Sequence, residues 1–254
     1  MELPYLLIAI IFLPGLLFAA LGLSWLLGAS PHERLVARLT KACYVIGTLG
    51  IAWLGVRMLA TGQTVVRASL GDWFTVEQYH FPLAFVLDGI AFPLVALTVV
   101  LVGTVAAFSQ SYLHRDEGYL RFFLLLNLFG FGALLLFTAA TVDLIIGGWE
   151  LVGLTSVLLI GFFQFRDEPV YNALRVFLAY RVCDIGLLTG AALLHIYHVP
   201  SAFAEWHTHE LSPVVASVIG LLLLLAAMGK AAQVPFSGWL PRAMEGPTPS
   251  SAIF

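Results

Sequence analysis

The chain has 254 residues, of which 60% are hydrophobic and 11% charged, with a formal net charge of −3. A mean hydropathy of +0.95 is more than one soluble core requires, so a soluble domain is excluded and a polytopic membrane protein is indicated. Basic clusters are absent, and nothing points to nucleic acid.

Seven apolar segments follow one another: Pro4–Leu27, Ala42–Ala60, Leu83–Ser109, Leu120–Ala139, Val142–Phe165, Val170–His195 and Pro213–Met228. Each is near the ~20 residues that a helix needs to cross a bilayer. The expected fold is therefore all-α and polytopic, with about seven transmembrane helices. The first segment follows only Glu2, lacks the basic start of a cleaved signal and is long enough to span, so it reads as a retained helix. Most connections are short. Thr61–Pro82 and Tyr197–Ser212 are longer and polar, and alternation in Thr64–Ala68 and Phe74–Tyr79 allows a small hairpin. The chain divides into residues 1–82, two helices and an outer loop, and residues 83–254, which hold the buried charges described below.

Arg34, Arg38 and Lys41 lie between segments one and two, Arg115 and Arg121 between three and four, and Arg166 between five and six. The opposite loops carry only Arg57 and Arg67. The positive-inside rule then places the N-terminus outside, in a plasma or inner membrane. At the other end, Glu245-Gly246-Pro247-Thr248-Pro249 is a turn that opens an eighth helix, with proline in its first turn and a threonine able to cap it. The apolar run from Ser250 to Phe254 then stops after one turn. Carbonyls at a helix end need partners inside a membrane, so the sequence reads as a portion of a longer or split protein.

Segment seven ends on a lysine. Pro235 follows Lys230 five residues later and removes the helical partner of the Ala231 carbonyl, and Pro241 does the same for Ser237. The helix is expected to break there. A charge beside a broken helix is the usual form of an ion pathway, and a lysine snorkelling at a helix end is the plainer reading. In segment five, Glu150 is about eight residues inside the span, roughly 12 Å deep. Asp143 shares its face, with Gly147 and Gly153 near that stripe to let a neighbour approach. A carboxylate at this depth is paired with a cation or neutralised. In segment six, Arg181 and Asp184 are three residues apart and can pair. Asp184, Leu188 and His195 form one stripe; His195 suits either an interfacial position or a proton exit. Asp88 suits a cap, an interface or a function, and Asn127 an interhelical hydrogen bond. Trp73, Trp149, Trp206 and Trp239 read as aromatic-belt anchors, and Arg242 and Glu245 as interfacial. Cys43 and Cys183 lie far apart and form neither CxxC nor metal-ligand spacing. No glycine-rich nucleotide motif occurs, and no cofactor is expected.

These residues form a set: Glu117-Gly118-Tyr119-Leu120-Arg121-Phe122-Phe123, Gly148-Trp149-Glu150-Leu151-Val152-Gly153-Leu154, Leu158-Leu159-Ile160-Gly161-Phe162, Arg181-Val182-Cys183-Asp184, Gly229-Lys230-Ala231-Ala232-Gln233-Val234-Pro235, and Trp239-Leu240-Pro241-Arg242-Ala243-Met244-Glu245-Gly246-Pro247-Thr248-Pro249. From about Phe81 to Phe254 the chain resembles the antiporter-like, proton-conducting subunits of respiratory complex I (its large L-type subunit), Mrp-type cation/proton antiporters and two-component inorganic-carbon transporters. The resemblance implies two inverted five-helix repeats, each with a broken helix, of which this chain holds the first up to the start of helix eight. It implies that Glu150 and Lys230 are the key pair of a proton half-channel, with Asp184 and Arg181 beside them. It also implies a partner that drives transport, since no redox centre is expected here. That partner is the set of complex I subunits, or a soluble zinc-binding, carbonic-anhydrase-like subunit. Ser250-Ser251-Ala252-Ile253-Phe254, Ala173-Leu174-Arg175-Val176-Phe177-Leu178-Ala179-Tyr180 and Pro235-Phe236-Ser237-Gly238 lean toward the carbon transporter. A scaffold whose ion pairs only lock helices, and a sodium/proton antiporter, are the rival readings.

Overall fold

The computed structural model describes residues 2–29, 31–76 and 79–253. Among them, seven helices are long and apolar enough to cross a membrane. They are α1 (Glu2–Leu26), α2 (Glu33–Thr61), α3 (Ala91–Tyr112), α4 (Tyr119–Thr138), α5 (Val142–Ile160), α6 (Asp167–Ile196) and α7 (Pro213–Lys230). The fold is that of a helical, multi-pass membrane protein, with α7 broken after Lys230 as expected. A four-residue helix, α8 (Thr248–Ser251), begins after the Gly246-Pro247 turn. Thr248 does not cap it; Pro247 occupies the cap position without a side-chain bond, and the Thr248 hydroxyl lies 3.2 Å from that of Tyr112.

Three elements depart from the apolar segments, the first being α5, which ends at Ile160 rather than Phe165. The helix α2 starts nine residues before Ala42, at Glu33, and is 29 residues long. At 1.5 Å per residue it measures roughly 43 Å, more than the hydrocarbon thickness. Its polar first turns are held by the end of α3: Lys41 Nζ donates to Gln110 Oε1 at 2.6 Å, and Glu33 Oε2 lies 2.7 Å from His114 Nδ1. The third helix begins only at Ala91. Leu83–Leu87 belong instead to a strand, β2 (Tyr79–Leu87), paired antiparallel with β1 (Val66–Val76). Of the run Phe74–Tyr79, Phe74–Val76 are the end of β1 and Tyr79 is the start of β2; Glu77 and Gln78 lie outside the described residues. Between β2 and α3, Asp88 Oδ1 accepts hydrogen bonds from the Ile90 and Ala91 amides at 2.9 and 2.8 Å, which makes it a capping residue.

The first four helices close around an apolar core that includes Tyr44, Phe122, Phe123 and Leu126, all fully buried. Its side-chain polar link between helices is the amide of Asn127, which donates to Thr40 Oγ1 at 3.1 Å. The helices α4 and α5 meet at Gly132 and Gly148. A Cβ at Gly148 would lie 2.5 Å from the Leu136 amide nitrogen and 2.8 Å from the Gly132 carbonyl, so only glycine allows this approach. Gly147, expected at such a contact, has open space beside it.

The start of α5 is tied to two loops by backbone bonds. Ala140 donates to Ala84 of β2 at 3.0 Å, Phe203 to Ala140 at 3.1 Å, and Val142 to Ser201 at 3.2 Å. The Thr141 hydroxyl accepts from Leu144 at 3.3 Å and caps the helix. The hairpin, the loop after α4 and the loop after α6 thus form one cap over that end of the bundle.

Candidate functional site

Helix α7 ends at Lys230 because the following residues turn away, with Ala231 at its C-cap. The break leaves carbonyls without helical partners, and two are satisfied locally. Gln233 donates to Met228 at 2.9 Å, and the Trp239 indole donates to Gly229 at 2.8 Å. Trp239 is 6% exposed. It is a plug that fixes the broken end, not the belt anchor expected from its position. Its ring stands edge-on to Tyr180, centroids 5.1 Å apart.

Tyr180 presents its other contact to the lysine. Lys230 Nζ lies 3.9 Å from the Tyr180 ring centroid and 5.6 Å from that of Trp149. The ammonium is buried and makes no hydrogen bond among the described residues. Ring faces supply it with roughly 0.5–2 kcal/mol of cation–π attraction. Space for it exists because residue 153 is glycine: a Cβ there would fall 2.3 Å from Nζ.

Around this lysine, α5 and α6 bring three more charges together. Arg181 Nη2 donates to Glu150 Oε2 at 2.5 Å and lies 2.8 Å from Asp184 Oδ2. Asp184 is 1% exposed, and its other oxygen accepts from the Trp149 indole at 2.6 Å. Trp149 is therefore a buried donor to the carboxylate rather than a belt residue. The expected Arg181–Asp184 pair is present. The expected Glu150–Lys230 pair is not: no hydrogen bond or ion pair joins them among the described residues. The guanidinium has the geometry to hold two carboxylates at once, and it takes Glu150 while the lysine rests on the rings.

His195 lies apart from this cluster. Its Nε2 is 3.0 Å from Asp143 Oδ1, at the capped end of the bundle. The expected stripe on α6 is split, since Asp184 is buried while Leu188 is 48% exposed. Arg242 donates to Gly238 at 2.7 Å within its own turn. Trp206 donates to Pro200 at 2.9 Å, and Trp73 is exposed on the hairpin. Cys43 and Cys183 are buried free thiols.

Sequence reasoning missed Tyr180 and the inward roles of Trp149 and Trp239. The spacing of Tyr180 and Asp184, four apart on α6, was the available signal for the first. The tryptophan contacts run between helices and leave no local pattern.

Residues 139–254 match the family described as NADH:quinone oxidoreductase/Mrp antiporter, TM, and residues 73–123 match NADH-Ubiquinone oxidoreductase (complex I), chain 5 N-terminus. NAD(P)H-quinone oxidoreductase chain 5 of Synechocystis sp. is 33% identical over 233 residues, covering 85% of this chain and 33% of that protein. The chloroplastic subunit 5 of Physcomitrium patens is 35% identical, covering 75% of this chain and 28% of that protein. The chain thus spans about a third of the length of the curated relatives it matches. A chain of the Mrp complex from Dietzia sp. DQ12-45-1b superposes with a TM-score of 0.75 at 25% identity, over 99% of this chain and 26% of that one.

Proposed function

The chain belongs to the antiporter-like membrane-subunit superfamily shared by NADH:quinone oxidoreductases and Mrp antiporters, and on that premise we propose that it forms a proton half-channel within a multisubunit membrane complex. One observation carries this reading. A buried lysine ends a broken transmembrane helix without a hydrogen bond, beside a three-charge cluster built from two other helices. Ionisable groups in a membrane are costly and are kept for transport. A structural cluster would pair its charges, and here the lysine is left over.

In the proposed mechanism Lys230 is the group that takes up and gives away the proton. It moves between its seat on Tyr180 and Trp149 and a position beside Glu150. Arg181, fixed by Asp184, competes for Glu150 and sets which position is occupied. Free carbonyls at the α7 break offer sites to water. Residues 83–254 form the conducting unit and residues 1–82 its outer support. The N-terminus lies outside, in the plasma or inner membrane.

The coupling partner divides this reading. The names of the curated relatives favour quinone-oxidoreductase subunits. The sequence Ser250-Ser251-Ala252-Ile253-Phe254 favours an inorganic-carbon system with a soluble, zinc-binding, carbonic-anhydrase-like subunit. Co-purification separates them by the metal or redox centres of the captured partner. Sodium/proton antiport, favoured by the Mrp superposition, requires sodium-dependent exchange.

The test is proton flux, read with a pH-sensitive dye in proteoliposomes holding the complete protein and its partners. Lys230→Ala and Glu150→Gln are each expected to abolish it. Variants that assemble and conduct like the parent make the cluster structural and the chain a scaffold.

A further inference from the structure

We propose that Asp143 and His195 are the port of this half-channel on the hairpin side, and that the exposed face of α5 at Gly147 is the wet step connecting them to Glu150. The proposal rests on the proton-conducting reading above.

The port lies next to a cavity of about 760 Å³ lined by His80, His195, His198 and Glu205, among others. His80 is itself 3.5 Å from Asp72 of β1. The cavity sits beside the backbone-bonded cap, so it opens at the end of the bundle rather than on its flank. His195 reaches from the last turn of α6 toward Asp143 in the first turn of α5. The side chain of His195 is 33% exposed and that of Asp143 only 8%. The imidazole thus stands between the cavity and a nearly buried carboxylate.

Complementing two helix dipoles explains why an acid starts α5 and a histidine ends α6. It does not explain the second carboxylate oxygen. Asp143 Oδ2 is buried and makes no hydrogen bond among the described residues. Such an oxygen needs a partner. Asp143, Gly147 and Glu150 are spaced i, i+4 and i+7, on one face of α5. That face is open between the two acids: Gly147 is exposed, a Cβ there would meet nothing within 4 Å, and the Glu150 side chain is 34% exposed. From Asp143 to Glu150 the helix rises roughly 10 Å, a distance that about three waters at hydrogen-bond spacing bridge. On the other side of Asp143 the seam is closed by the apolar cluster of Val142, Ala191 and Leu194. A proton taken up by the imidazole passes to the carboxylate across the 3.0 Å contact. It then passes to water at Gly147 and on to the Glu150–Arg181 pair, and the imidazole, left in its other tautomer, is reset by tautomerisation through water in the cavity.

Two measurements on the complete protein with its partners test this. In the first, Gly147→Cys is treated with a membrane-impermeant, cationic methanethiosulfonate, with Leu188→Cys on the exposed apolar face of α6 as comparison. The native thiols Cys43 and Cys183 are buried and give little background. Reaction at Gly147→Cys from the hairpin side, at least tenfold faster than at Leu188→Cys, is expected, because the reagent needs water. In the second, flux is compared for Gly147→Leu and Gly147→Ser. The leucine is expected to cut flux at least fivefold at unchanged melting temperature, since it covers the exposed face between Asp143 and Glu150 with an apolar side chain. The serine, whose hydroxyl keeps that face polar, is expected to conduct at least threefold better than the leucine. The proposal is overturned if Gly147→Cys does not react. It is also overturned if Gly147→Leu conducts like the parent while Lys230→Ala is silent. Conduction by Lys230→Ala would instead sink the half-channel reading itself, and thiol reactivity would still decide whether that face is wet.

Discussion

The two halves of this bundle solve the membrane problem differently. Helices α1 to α4 enclose a core where aromatic and aliphatic side chains fill the space, with the Asn127 amide linking α4 to α2 inside it and Lys41 linking α2 to Gln110 of α3 at its edge. Helices α5 to α7 bring together Glu150, Arg181, Asp184 and Lys230, of which Asp184 and the lysine ammonium are buried and Glu150 and Arg181 are 34% and 37% exposed, with that ammonium and a guanidinium Nε left without hydrogen bonds. Among the described residues, the first region leaves neutral groups unpaired, the Tyr44 and Tyr119 hydroxyls and the Asn127 amide oxygen. The second leaves charged groups incompletely solvated, and only a role that uses that incompleteness justifies the cost. Changes in the first half should therefore be read in stability, and changes in the second in transport.

The largest stability effect is expected for Phe122→Ala. The side chain is fully buried, and the variant should lose on the order of 2–4 kcal/mol, mostly as lost contacts around a cavity. Flux per assembled complex should be unchanged. Gly148→Ala comes next, with about 1–3 kcal/mol lost as α4 and α5 are forced apart. Because Trp149 and Glu150 follow directly, its flux should fall too, so this position joins the two regions. A Gly148→Ala protein as stable as the parent would show that the helices slide freely. Trp239→Phe removes the shorter of two hydrogen bonds to the Gly229 carbonyl and leaves it the Ala232 amide at 3.3 Å, for about 0.5–1.5 kcal/mol. Here flux should drop more than stability, because the broken end of α7 sets the place of Lys230. Asn127→Leu is the smallest, roughly 0.6 kcal/mol for an interhelical hydrogen bond in a membrane, with flux intact. Each stability is read from denaturation in detergent and each flux in proteoliposomes.

Much of this architecture was legible in the residues. Length and hydropathy located seven helices, Pro235 marked the break, and the three-residue spacing of Arg181 and Asp184 gave their pair. What failed did so for identifiable reasons. Leu83–Leu87 is apolar enough to begin a helix or to fill a strand, and a run of that length has no period to separate them. Glu33–Lys41 has four charges that end the apolar run, and only the structure shows that Val36, Ala37 and Thr40 between them are buried. Trp149 and Trp239 lie at depths that suit a belt, while their indoles are claimed by Asp184 and by the Gly229 carbonyl across a helix gap. Gly147 and Gly148 are neighbours of the same type. Only the packing of α4 shows that Gly148 is a buried contact and Gly147 is exposed. The lysine was found, but not its seat on Tyr180, because an arginine from another helix had first claim on Glu150.

The central claim is that the charge cluster serves conduction rather than docking. It is tested most directly by replacing the cluster with apolar residues together, Glu150→Leu, Arg181→Met, Asp184→Leu and Lys230→Met, and measuring proton flux in the assembled complex. Buried ion pairs exchanged as a set for apolar groups often leave stability equal or improved. The account expects a complex that assembles, melts no lower than the parent and carries no proton flux. An assembled complex that still conducts at the parent rate would contradict it.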